Sequence, residues 1–152
     1  MAYSGKYYTG QTKPQAQLDA TKQANVALPN AANTVCTAAI DLEAGDPFPT
    51  TGEFTVQIVT TAGTGNANSN NINVALQTAN AYTNGVVNTG NFANIVGLTF
   101  PSIASVNGNY PATTFNVLLP PGGVSRFIRA TALGEAGGGN SSNGTITLQL
   151  LF

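Results

Sequence analysis

Asp41, Glu43, Asp46 and Glu53 fall within one short segment, and this is the chain's best opportunity for acid–base chemistry. Glycoside cleavage needs only two carboxyls, roughly 5 to 10 Å apart. Asp41-x-Glu43-x-x-Asp46 also presents oxygen ligands of the kind a hard cation takes, but it lacks the alternating Asp/Asn and closing Glu of a calcium loop. Acids near a strand end are usually solvated, so neither a catalytic pair nor a metal is expected here. The sequence contains no histidine, which excludes Ser-His-Asp and Cys-His catalysis and the His-rich metal centres of many small β-barrel enzymes. Gly63-x-Gly65 and Gly137-Gly138-Gly139 lack the Lys of a phosphate cradle and read as loops. A non-enzyme without a cofactor is the expectation.

The cations divide into two groups. Arg126 and Arg129 are the only arginines and share one apolar run, where a spacing of three turns them to opposite faces of a strand. Arg129 or Arg126 is a candidate for pairing with Asp41, Glu43, Asp46 or Glu53, because the guanidinium fork suits a carboxylate. Lys6, Lys13 and Lys22 lie near the start, the first two among Tyr3, Tyr7 and Tyr8. Tyrosines beside lysines on a segment with no core of its own gain by burial against a partner. Tyr3, Lys6, Tyr7, Tyr8 and Lys13 are therefore the candidate docking residues.

Residues 1–30 show no strict period and read as an extended N-terminal arm. Leu18, Lys22 and Val26, spaced by four, allow a short helix over Gln15 to Ala27 that Leu28-Pro29 would stop. From residue 31 to 152 the pattern changes to short β-branched and aromatic runs bounded by Gly, Pro or Asn. Glu53 to Thr61 places Phe54, Val56 and Ile58 on one face; Asn71 to Ala79 does the same with Ile72, Val74 and Leu76. These two are expected to share one half-buried sheet. Thr34 to Ile40, Phe92 to Phe100, Thr113 to Leu119, Val124 to Leu133 and Gly144 to Phe152 complete about seven strands. Asn84-Gly85, Asn107 to Pro111 and Pro120-Pro121-Gly122-Gly123 carry turn chemistry. The expectation is an all-β, antiparallel jelly-roll or β-sandwich domain behind the arm.

Composition narrows the function. Only 7% of the 152 residues are charged, and the net charge is -1, where ordinary domains carry about 25% charged residues. Polarity comes from 20 Thr and 18 Asn. Nothing here attracts phosphate backbones or anionic lipid, so neither nucleic acid nor membrane is an expected partner. No run is long and apolar enough for a spanning helix, Met1 to Gly10 lacks the apolar core of a signal peptide, and synthesis in a cytoplasm is expected. Cys36 is the single cysteine, expected to be a small buried residue.

The ordered patterns from Gln15 onward have a further consequence. They are Ala16-Gln17-Leu18-Asp19-Ala20, Ile40-Asp41-Leu42 with Ala44-Gly45-Asp46-Pro47, Phe54-Thr55-Val56-Gln57-Ile58, Val74-Ala75-Leu76-Gln77-Thr78-Ala79, Leu118-Leu119-Pro120 to Arg126-Phe127-Ile128-Arg129, and Thr145-Ile146-Thr147-Leu148. In their order and spacing the chain resembles the jelly-roll capsid cement, or head-decoration, proteins of tailed bacteriophages. The resemblance implies a homotrimer on the outer capsid surface of the virion, made in the host bacterial cytoplasm. It would sit at threefold and quasi-threefold junctions, bridge copies of the major capsid protein and stabilise the shell. The long arm and the Gly63 to Asn70 and Gly134 to Asn143 loops depart from the pattern. Two other readings compete: a self-assembling coat or fibre subunit, and a carbohydrate-binding jelly-roll module of a virion. The second is poor in platforms, with no Trp and only Tyr82 and Tyr110 outside the arm.

Overall fold

The computed structural model describes residues 18–29, 32–42, 55–65, 71–79, 82–83, 86–87, 91–119, 123–125, 127–135 and 143–151. They form an all-β molecule built from antiparallel sheets. Sheet A runs β1 (Leu18–Ala27), β13 (Thr145–Leu151), β4 (Thr55–Thr60), β11 (Thr113–Leu118). Sheet B centres on β12 (Phe127–Gly134), flanked by β2 (Thr34–Cys36) and β3 (Ile40–Asp41) on one side and by β6 (Ile72–Ala79), then β9 (Ala93–Asn94), on the other. Two ribbons complete the set: β5 (Gly63–Thr64) with β10 (Asn109–Tyr110), and β7 (Tyr82–Thr83) with β8 (Val86–Val87).

Period-two alternation gives each central strand one face for the core. Val56 and Ile58 of β4, Ile146 and Leu148 of β13, and Ile128, Ala130 and Ala132 of β12 are all 0% exposed. Ile72, Val74 and Leu76 of β6 join the same cluster, so the two sheets close over one core. The alanines of β12 leave room for the branched side chains opposite, as a close-packed interior requires. Thr60, 1% exposed, faces inward too, and its hydroxyl donates to the Thr113 carbonyl at 3.4 Å.

Several expectations need correction. Leu18–Ala27 is not a helix but a strand paired with β13, with a register shift between Leu18 and Gln23. Pairing with β13 extends the segment, and the shift sets Leu18 against Leu151 and Val26 against Ile146, positions of opposite parity in β13. β4 and β6 lie in different sheets, because each buries its apolar face in the shared core from opposite sides. Phe92 to Phe100 is mostly not strand: β9 is short, and the chain then turns at Val96 and Gly97, the latter at φ +84. Ile95 from that run is still buried, and Leu98 and Phe100 pack on the core, so the run lines the interior as a loop.

Thr34 to Ile40 is one segment in two strands, and a side chain bridges the gap. Thr37 N–H donates to the Ala130 carbonyl at 2.9 Å, while Thr37 Oγ1 accepts from Ala130 N–H at 3.0 Å. The hydroxyl thus replaces a backbone acceptor where the ladder breaks. Val106 and Asn109 exchange backbone hydrogen bonds around Asn107 and Gly108, whose φ values of 51 and 81 fit a primed two-residue turn.

Candidate interaction surfaces

With the inner faces committed to the core, the outer faces are the sheet surfaces left to meet anything else. On sheet A the register aligns Gln149 with Gln57 and Gln57 with Asn116. The three amides form a chain across the sheet: Gln149 Nε2 donates to Gln57 Oε1, and Gln57 Nε2 donates to Asn116 Oδ1 at 2.9 Å. Along the same face stand Thr145 and Thr147 of β13, Thr55 and Val59 of β4, and Thr114 and Leu118 of β11. None of these outward residues is charged. Leu118 is 62% exposed, an apolar point at the edge of an amide and hydroxyl surface.

Sheet B presents a different outer face. Arg129 lies opposite Gln77, and Gln77 opposite Asn94. Arg129 Nε donates to Gln77 Oε1 at 2.9 Å, and Gln77 Nε2 donates onward to Asn94 Oδ1 at 3.0 Å. The guanidinium carbon stands 4.1 Å from the centre of the Phe92 ring, a cation–π contact. Two rows away Asn73 donates to Glu135 Oε1 at 3.0 Å and Ser102 donates to Asn73 Oδ1. Outward-facing Phe127 and Thr131 are nonetheless buried, so part of this face is covered by the chain itself.

No protein-family model and no curated protein matches this chain. The surfaces are therefore read on their own chemistry.

Of the residues singled out in the sequence, Arg129 is placed fully, half-buried on the outer face of sheet B. Asp41 pairs through its backbone with Phe127, two positions from Arg129 along the neighbouring strand. Arg126, Glu43, Asp46 and Glu53 lie outside the described residues, as do Tyr3, Lys6, Tyr7, Tyr8 and Lys13 of the arm. The partners described for Arg129 are the Gln77 amide and the Phe92 ring, while the side chains of the acids expected to pair with it lie outside the described ones. Sequence reading missed Gln77, Asn94 and Phe92, and the signal for the first was available: Gln77 alternates with Leu76 and Thr78 on a strand whose other face is apolar. Cys36 is half-buried and sits opposite Thr131 on the outer side, because its neighbour Val35 takes the inward position.

Among the described residues no group of three or more Cys, Asp or Glu side chains is placed to hold a metal. Tyr110 is 3% exposed and belongs to the core. It is therefore removed as a sugar platform. No helix among the described residues is long and apolar enough to cross a membrane.

Proposed function

We propose that this chain is a structural attachment subunit, a cement or decoration protein that binds the outer surface of a phage head and stabilises the shell. The observation that carries the reading is the outer face of sheet A, where a row of amides is closed by its own hydrogen bonds and none of the described outward side chains of β4, β11 and β13 is charged. Such a face presents groups already partly satisfied, Gln149 being itself buried at 8% exposure, so covering the row with another protein strands few donors. Strand order supports the same reading. Counting β2 and β3 as one strand, successive long strands alternate between the sheets, and first pairs with last, as a double Greek key would require.

A subunit that binds only the assembled shell stabilises it by mass action, and a homotrimer with three arms would add multivalency. Tyr3, Lys6, Tyr7, Tyr8 and Lys13 are the arm residues assigned to the major capsid protein, and their assignment rests on the resemblance and on residue chemistry. The test is co-sedimentation of the full-length protein with expanded and unexpanded heads that lack it, beside the protein alone. Saturable pelleting with heads is expected, near one trimer per threefold junction. Pelleting of the protein alone would instead indicate a self-assembling coat or fibre subunit, and solubility with no head binding would overturn the proposal.

A further inference from the structure

We propose that Arg129 is a preset carboxylate receptor on the outer face of sheet B, and that it takes an Asp or Glu side chain of the subunit to which this chain attaches. That the carboxylate comes from another protein rests on the attachment reading above; the receptor itself rests on geometry alone. A guanidinium has five N–H donors. One of them, Nε–H, donates to Gln77, whose own amide donates onward to Asn94. The Phe92 ring lies against the guanidinium, 4.1 Å from its carbon to the ring centre. Among the described residues neither terminal nitrogen of Arg129 donates to any acceptor. Of the acids that the register puts on this side, Glu135 is engaged by Asn73, and Asp41, opposite Phe127, is described in its backbone alone.

An arginine oriented in this way has lost most of its rotamer freedom before any ligand arrives, so forming a two-pronged contact costs less than it would for a mobile side chain. Partial burial also strips water from the cation and strengthens a charged partner's hold. The planar guanidinium offers parallel N–H donors at the spacing of the two carboxylate oxygens.

The experiment titrates acetate into the isotope-labelled full-length protein against chloride at constant ionic strength, and reads the Arg129 Nε–H and Phe92 ring resonances. A saturable acetate-specific shift is expected at Arg129, larger than any at Arg126, Lys6, Lys13 or Lys22. It should fade as pH falls through the carboxylic-acid range near about 4, where the ligand loses its charge. Arg129→Lys should reduce the response to that of the other lysines, and Gln77→Ala, which keeps the cation but frees its orientation, should weaken it. A response at Arg129 no greater than at Arg126 or the lysines would overturn the receptor. So would movement of the Arg129 resonances in acetate-free Asp41→Asn, Glu43→Gln or Asp46→Asn protein, since one of the chain's own acids would then occupy the fork. In the head-binding assay, Arg129→Gln should weaken attachment about 10-fold, the scale of one charged hydrogen bond. An intact acetate response in a protein that binds no heads would leave the receptor standing and sink the attachment reading.

Discussion

The two sheets use the same amide chemistry to opposite ends. On sheet A the chain Gln149 to Gln57 to Asn116 runs from amide to amide and stops on a neutral acceptor. On sheet B an equivalent chain, Asn94 to Gln77, ends on the Nε of Arg129 and holds a cation with donors left over. The ladders differ in the same sense. Sheet A pairs β4 with β11 and β13 without a break and has its register shift at the β1 edge, whereas sheet B interrupts its first strand and uses the Thr37 hydroxyl to carry the ladder across. One layer is a closed wall, and the other is a patched layer carrying an addressable charge.

The largest expected effects test whether the layers are one cooperative body. Leu148→Ala in sheet A and Leu76→Ala in sheet B each remove a buried side chain from the shared core. Each should cost about 2–5 kcal/mol and lower a single thermal transition. Two separate transitions in calorimetry would show that the sheets melt independently. Next in size is Thr37→Val, which keeps the shape but removes the acceptor of Ala130 N–H. An unpaired buried N–H costs about 1–3 kcal/mol. Thr37→Ser, which retains the hydroxyl, should recover most of that in a denaturant titration. Recovery absent in the serine variant would mean that Thr37 contributes packing and that the patch is not a hydrogen-bond repair.

Smaller again is the turn at Asn107 and Gly108, where positive φ suits Gly and Asn and penalises other residues. Gly108→Ala should destabilise by about 1–2 kcal/mol. Asn107→Gly should be nearly neutral, with both variants read by urea midpoint. Equal loss from the two would place the cost in side-chain contacts of Asn107 and not in its backbone.

How much of this was visible in the sequence follows the strictness of alternation. In β4, β6 and β13 every second residue is apolar, so Val56, Ile58, Ile72, Leu76, Ile146 and Leu148 could be assigned inward before any coordinates. Alternation says which face is buried but not which strand lies alongside, and for that reason β4 and β6 were expected in one sheet. The Phe92 to Phe100 run is apolar without a period; Gly97 at positive φ turns it, and its side chains reach the core from a loop. Arg129 was visible as a candidate, yet its partners were not. Gln77 is 52 positions away in sequence, and only the antiparallel register of β12 and β6 brings the two together.

The smallest effect on stability separates folding from attachment on sheet A. Gln57→Glu keeps the length of the side chain and an oxygen to accept from Gln149, and loses only the donor to Asn116. Because Asn116 is exposed and its amide can turn to donate, the folding cost should be about 0.5–1 kcal/mol. Covering the new carboxylate with a neutral protein surface is another matter, since burying an unpaired charge costs several kcal/mol. Head attachment should therefore fall by at least about 10-fold while the urea midpoint hardly moves. Added salt should sharpen the contrast between the two faces: attachment through sheet A should be insensitive to it, while any share contributed by Arg129 should be screened. If Gln57→Glu attaches as well as wild type, the neutral wall faces solvent in the assembled state, and the charge on sheet B is left as the chain's point of contact.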